Sequence, residues 1–121
     1  MASTPVDESS AHLQLTQQLP VLPAATTSRV VVNNPLLRVI QFTFDTGELL
    51  TEHTSPRAVT CLLNEGRMGF TVDGVEHDMQ AGDVIYLAPN APHALVAKEP
   101  SRLTLTMVDV EAAPTVAEDL S

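Results

Sequence analysis

The sequence predicts an all-β domain, a barrel or sandwich, and three observations point there. Short runs rich in Val, Ile, Thr and Phe recur along the chain, separated by turn residues. Val72-Asp73-Gly74-Val75 sets an Asp-Gly pair between β-branched residues, a strong hairpin signal, because a two-residue type I′ turn needs φ > 0 at both central positions. No stretch of useful length carries helical periodicity, and no internal repeat is found.

In chain order, residues 1–11 (MASTPVDESSA) are small and polar and are expected to form a disordered tail. They lack the basic start and apolar run of a secretion signal. HLQLTQQLPVLPAATTS follows, an arm whose Leu13, Leu15, Leu19 and Leu22 are suited to dock on the body, extended or as a short helix; Pro20 and Pro23 exclude a long one. SRVVV is a strand and NNP a turn. In LLRVIQFTFDTG, Ile40, Phe42 and Phe44 share one face, and Val39, Gln41 and Thr43 the other. ELLTEHTS and AVTCLLNEG are further strands divided by Pro56-Arg57.

The hairpin register then follows from its turn: Val72 opposite Val75, Phe70 opposite His77, Met68 opposite Met79, all on an apolar face. Arg67, Thr71, Glu76, Asp78 and Gln80 fall on the other face. Ala81-Gly82-Asp83 turns the chain into VIYLA, PNAP loops to HALVA, and KEPS leads to a last strand, RLTLTMVDV. Here Leu103, Leu105 and Met107 alternate with Thr104, Thr106 and Val108. One domain over residues 12–110, arm included, and an acidic, proline-broken tail over 111–121 complete the expected organisation.

Composition narrows function. A chain of 121 residues is long enough to bury a core without disulfides or metal. With three Phe, one Tyr and no Trp, that core is expected to be aliphatic. A net charge of −9 argues against nucleic acid and against an anionic membrane surface. No run approaches the roughly 18 apolar residues of a membrane span. The single Cys61 has no internal disulfide partner, which fits a reducing, cytoplasmic setting.

The stretch from Gly47 to His93 resembles the cupins, specifically the small single-domain, RmlC-like type. The first cupin motif reads Gly, five residues, His-x-His, three or four residues, Glu, six residues, Gly. Gly47, His53 and Gly66 stand at the matching positions. The second motif runs from a Gly-Asp turn through a Pro loop to a His eleven positions after the Gly, and Gly82-Asp83 and His93 satisfy it. Asn90 replaces the loop Gly, and Asn is the residue that best tolerates a left-handed backbone after Gly. The resemblance covers about residues 36–108 and implies a jelly-roll (double-stranded β-helix) barrel that commonly pairs as a homodimer.

It also implies a metal site of three His and one carboxylate or amide, from which this chain departs. Ser55 stands at the second His and Val59 at the Glu, so only His53 and His93 remain. Two imidazoles hold a divalent Zn, Ni, Fe or Mn ion only with help. Cys61, on the barrel-facing side two positions after Val59, is one candidate helper, against the reading of a small buried apolar residue. His77, opposite Phe70, is the other, against a packed imidazole at the barrel mouth.

Ser55, Val59, Cys61 and Phe70 are expected to line a pocket with the two histidines. Three functions stay open: a binding pocket for a small molecule, with or without a metal at an incomplete site; a metal-dependent dioxygenase, isomerase or lyase; and a structural or interaction barrel with a vestigial site.

Overall fold

The structure, a computed structural model, describes residues 3–110. The expected acidic tail over 111–121 lies outside the described residues. Nine strands follow one short helix: α1 (Leu15–Gln18), β1 (Thr26–Asn33), β2 (Leu37–Phe44), β3 (Leu49–His53), β4 (Ala58–Glu65), β5 (Arg67–Val72), β6 (Val75–Gln80), β7 (Val84–Leu87), β8 (His93–Ala97) and β9 (Ser101–Val108).

The strands pair in nested order, β5 with β6, β4 with β7, β3 with β8 and β2 with β9, all antiparallel. A long hairpin folded over on itself in this way is a jelly-roll barrel. Its two walls are a five-stranded sheet, β1-β2-β9-β4-β7, and a four-stranded sheet, β3-β8-β5-β6.

The Asp73-Gly74 turn sets the register of the β5–β6 hairpin. Asp73 has φ 50° and Gly74 φ 81°, both left-handed as the turn requires. Met68, Phe70 and Val72 then pair with Met79, His77 and Val75. The expected register is met, but the expected apolar face is only partly covered. Met68, Phe70 and Met79 are buried, whereas Val75 and His77 are exposed. β6 is the edge strand of its sheet, and only Met79, at the end of the hairpin away from the turn, lies under the opposite wall. On the outer face Arg67 donates two hydrogen bonds to Asp78, at 3.1 and 2.9 Å, and Lys98 lies 3.6 Å from Glu76 and 3.7 Å from Asp78. The Arg67 hydrogen bond holds the Asp78 carboxyl below the usual carboxylate range.

Between the walls Phe44, Cys61, Leu63, Met68, Phe70 and Leu103 are at most 1% exposed. The core is thus mostly aliphatic, as composition required, but two of the three Phe are among its largest members.

The outer face of the five-stranded sheet is less exposed than alternation alone would make it. Gln41, Thr43 and Arg102 point away from the cavity side yet are buried, at 9%, 0% and 3% exposure. The N-terminal arm meets Arg102, while Thr43 pairs with Thr27 of β1 and Gln41 with Thr104 of β9. Arg102 donates from Nη2 to the carbonyls of Thr16 (3.3 Å) and Leu19 (2.8 Å), from Nη1 to Gln41 (3.3 Å) and from Nε to Glu65 (3.2 Å). Within the segment expected as a free tail, the Thr4 amide donates to the Asn33 carbonyl at 2.7 Å, and its hydroxyl accepts from the Asn33 amide.

Candidate functional site

The barrel encloses a cavity of about 130 Å³. Its wall is apolar for the same reason that the strands alternate: inward positions of β2, β4 and β9 carry Phe42, Val59, Cys61, Leu103, Leu105 and Met107. The facing sheet contributes Leu50, Phe70 and Leu95. Polar side chains enter at His53, Ser55 and His93.

Strand pairing brings the two histidines together. β3 and β8 are neighbours, and His53 is the register partner of His93. The rings stand 4.2 Å apart, centroid to centroid, tilted by 59°. They do not share one environment. His93 is 9% exposed, with its ring stacked 6.2 Å from Phe70, while His53 ends β3 at the exposed side. A register irregularity between Leu50 and His53 rotates the end of β3 so that its last residue joins the cavity.

Each imidazole is fixed by the same local device. The Nδ1 of His53 lies 2.8 Å from the Thr51 carbonyl, and the Nδ1 of His93 lies 2.9 Å from the Ala91 carbonyl. A carbonyl only accepts, so Nδ1 carries the proton in both rings and donates it. Nε2 is left as the lone-pair nitrogen in each neutral ring, and neither Nε2 has a hydrogen-bond partner among the described residues. Two imidazoles and the Ser55 hydroxyl in an otherwise apolar wall are the chemical content of the site.

Two further contacts set the mouth. The Asn90 amide donates to the Ser55 carbonyl at 2.7 Å, and the Asp73 amide donates to the Pro92 carbonyl at 3.0 Å. Asn90 has φ 68°, the left-handed position expected of the residue in place of the loop Gly. The Ser55 hydroxyl accepts from the Arg57 amide at 3.2 Å.

The helpers proposed for a metal divide. Cys61 lines the cavity, fully buried, and burial pushes its thiol up to about 12, so it stays protonated at neutral pH. His77 does not line the cavity. It is exposed on the edge strand, beyond the wall that covers Met79, so neither of its two readings, a candidate extra ligand or a packed imidazole, matches its place. Among the described residues, no three His, Cys, Asp or Glu side chains gather where they would hold a metal ion.

His53 and His93, with rings 4.2 Å apart, are the side chains that would hold a divalent ion were one bound. The remaining positions have no protein donor in that set. Arg57 lies with Pro56 and Asp109 in a separate surface depression, outside the cavity.

Ser55, Val59, Cys61 and Phe70 lie in the wall. Sequence reasoning did not place Phe42, Ala94, Met107 or the leucines at 50, 87, 95, 103 and 105 there, and it missed Arg102 as a buried clasp on the arm. The leucines carry only the ordinary alternation of a strand. Arg102 carries no local signal, because what buries it is an arm more than eighty residues away in sequence.

Residues 40–109 match the Cupin domain family. No curated protein matches the chain. Among solved structures, a conserved protein of unknown function from Streptococcus pyogenes is similar with a TM-score of 0.79 at 28% identity, covering 93% of this chain and 98% of that one. A cupin 2 conserved barrel domain protein from Leptotrichia buccalis is similar with a TM-score of 0.76 at 26% identity, over 80% of this chain and 47% of that one. A cupin superfamily protein from Desulfitobacterium hafniense shares the fold with a TM-score of 0.74 at 18% identity, over 84% and 93% of the two chains. With the family match spanning more than half its length, both motif histidines meeting across β3 and β8, and the strands nested as a jelly roll, the chain belongs to the cupin domain family.

Proposed function

We propose that the barrel is a binding pocket for a small molecule, with His53 and His93 as its polar end. The observation that carries this reading is the pair of unpartnered Nε2 atoms at the end of a cavity of about 130 Å³ with apolar walls. A pocket of this kind grips an apolar body along its walls and orients it by one or two polar contacts. Titration of purified protein with small aromatic compounds, followed by thermal shift and by amide NMR, tests the proposal. Shifts confined to the residues around β3, β8 and β9 support it. No shift with any compound, including one as small as benzene, would count decisively against it.

The second reading, a metal-dependent enzyme, is favoured by one observation: two imidazoles stand 4.2 Å apart, ring to ring, on paired strands. What such an ion would supply is Lewis-acid polarisation of a bound oxygen. The chain's own part is to present two oriented imidazoles and exclude bulk water from the apolar wall. Elemental analysis of protein purified without a His tag, beside His53→Ala, separates the two readings. Stoichiometric metal that survives dialysis and is lost in the variant supports the enzyme; metal removed by dialysis supports the simple pocket.

Pairing of two copies is also proposed. β7 ends the five-stranded sheet with Val84 60% and Tyr86 61% exposed, an uncharged edge in a chain of net charge −9. Sedimentation at micromolar concentration tests this, and a monomer's mass would refute it.

A further inference from the structure

We infer that the preferred occupant of the cavity is a neutral single-ring or short branched molecule with a hydroxyl head, of which phenol is the simplest aromatic case. The inference rests on the pocket reading above and adds the chemistry of what fills the pocket.

Size comes first. A cavity of about 130 Å³ is close to the roughly 150 Å³ hole that admits benzene in a protein core. The occupant is therefore of one ring, not two. The wall suits a ring: Phe70 is held parallel to the His93 imidazole, and the buried Cys61 sulfur offers a soft contact.

Polarity decides the head group. Both Nδ1 atoms face backbone carbonyls, so in the neutral rings each Nε2 is an acceptor. A matching head must donate. Among the described residues no Arg or Lys lines the cavity, so a carboxylate or phosphate would meet the two neutral rings and no counter-charge. Among them no Asp or Glu lines it either, so a buried ammonium would be equally unpaired. Burying an unpaired ion costs several kcal/mol, more than one ring's contacts return. A neutral hydroxyl avoids both costs: its O–H donates to an imidazole Nε2, and its oxygen accepts from the Ser55 hydroxyl that shares the mouth.

The test is calorimetric titration at pH 8 with three compounds of nearly one size: benzene, phenol and benzoate. At that pH phenol is neutral and benzoate ionised. The expected order is phenol tighter than benzene by about three- to tenfold, the worth of one net hydrogen bond, with benzoate not binding. The double variant His53→Leu/His93→Phe, which removes both acceptors and keeps the wall apolar, is expected to bring the phenol-to-benzene ratio to about one, while either single variant retains part of the preference. Equal binding of phenol and benzene to the unaltered protein, or tightest binding of benzoate, overturns the hydroxyl inference and leaves the pocket reading standing. Binding of none of the three overturns both.

Discussion

The backbone amide of Asn90 donates to the carbonyl of Ser55 across 2.7 Å, joining the loop that leads into His93 to the loop that leaves His53. The two imidazoles sit on neighbouring strands, but each lies at a strand end, where pairing alone holds it loosely. This bond ties the two loops together at the mouth, beside the Asp73–Pro92 contact. Asn90 itself sits at φ 68°, in the left-handed region. The first prediction follows. Asn90→Gly keeps the left-handed turn and is expected to change stability by less than about 1 kcal/mol. Asn90→Val places a β-branched residue there and is expected to cost about 1–3 kcal/mol in urea unfolding, with weaker phenol binding as the mouth opens. Equal stability of the two variants would show that the loop's conformation does not depend on this residue.

Arg102 makes a second long-range closure. Its guanidinium reaches the Leu19 carbonyl at 2.8 Å and also engages Thr16, Gln41 and Glu65. Replacement by Met fills much of the same space but leaves two arm carbonyls and Gln41 without their donor. An orphaned acceptor costs about 1–3 kcal/mol where it is buried, as at Gln41, and less at the half-exposed arm carbonyls that water can reach. The expected loss is about 2–4 kcal/mol, with protease cleavage between residues 12 and 25 well before the barrel is cut. If Arg102→Met leaves the cleavage pattern unchanged, the arm is held by its leucines and not by this clasp.

What the sequence revealed and what it hid divide along the same line. The strands, the Asp73-Gly74 register and the meeting of His53 with His93 were legible because each follows from a local rule: period-two alternation, turn chemistry, or a spaced motif. Burial was less legible wherever it depends on what lies across the barrel. His77 has the alternation of an inward residue, yet β6 is an edge strand and nothing covers that part of it. Arg102 has the alternation of an outward residue, yet the arm covers it. Alternation says which side a residue faces, and topology decides whether that side is inside. The tautomers of the two histidines were hidden for a different reason: they depend on a carbonyl two residues back curling under each ring, a detail of strand ends that residue types do not encode.

The glycine that closes the first motif has a steric reason that separates it from the other left-handed glycines. Gly66 has φ 94°, and a Cβ there would stand 2.3 Å from the Ser101 Oγ and 2.4 Å from the Pro100 carbonyl oxygen. The β4–β5 turn is pressed against the start of β9, so both the backbone angle and the contact forbid a side chain. Gly82 has the same kind of angle, φ 97°, but open space around it. Gly82→Ala is therefore expected to cost about 1–2 kcal/mol, the strain of the angle alone. Gly66→Ala is expected to cost at least about 3 kcal/mol, because backbone and Ser101 must also move. Equal midpoints for the two variants in urea would remove the steric explanation.

Cys61 gives the pH prediction. Its thiol is fully buried on the cavity wall, and burial raises it from an ordinary value of 9.0 to about 12. A raised value means that the folded protein keeps this proton at pH values where the unfolded chain releases it. Below about pH 9 both states are protonated and the group's full contribution to stability is present; between about 9 and 12 that contribution is lost as pH rises. Across the whole window the loss is at most about 4 kcal/mol, and at pH 10.5 it is about 2 kcal/mol. Other groups titrate over the same range, so the measurement is a difference. The stability of the native protein minus that of Cys61→Ala, both by urea unfolding, should shrink by about that amount between pH 7.5 and pH 10.5. In parallel, a thiol reagent at pH 8 should label the folded protein far more slowly than the unfolded chain. A stability gap that does not change with pH, or rapid labelling of the folded protein, would mean that the thiol is not held neutral in the wall. In that event Cys61 would return as a candidate anionic ligand beside His53 and His93.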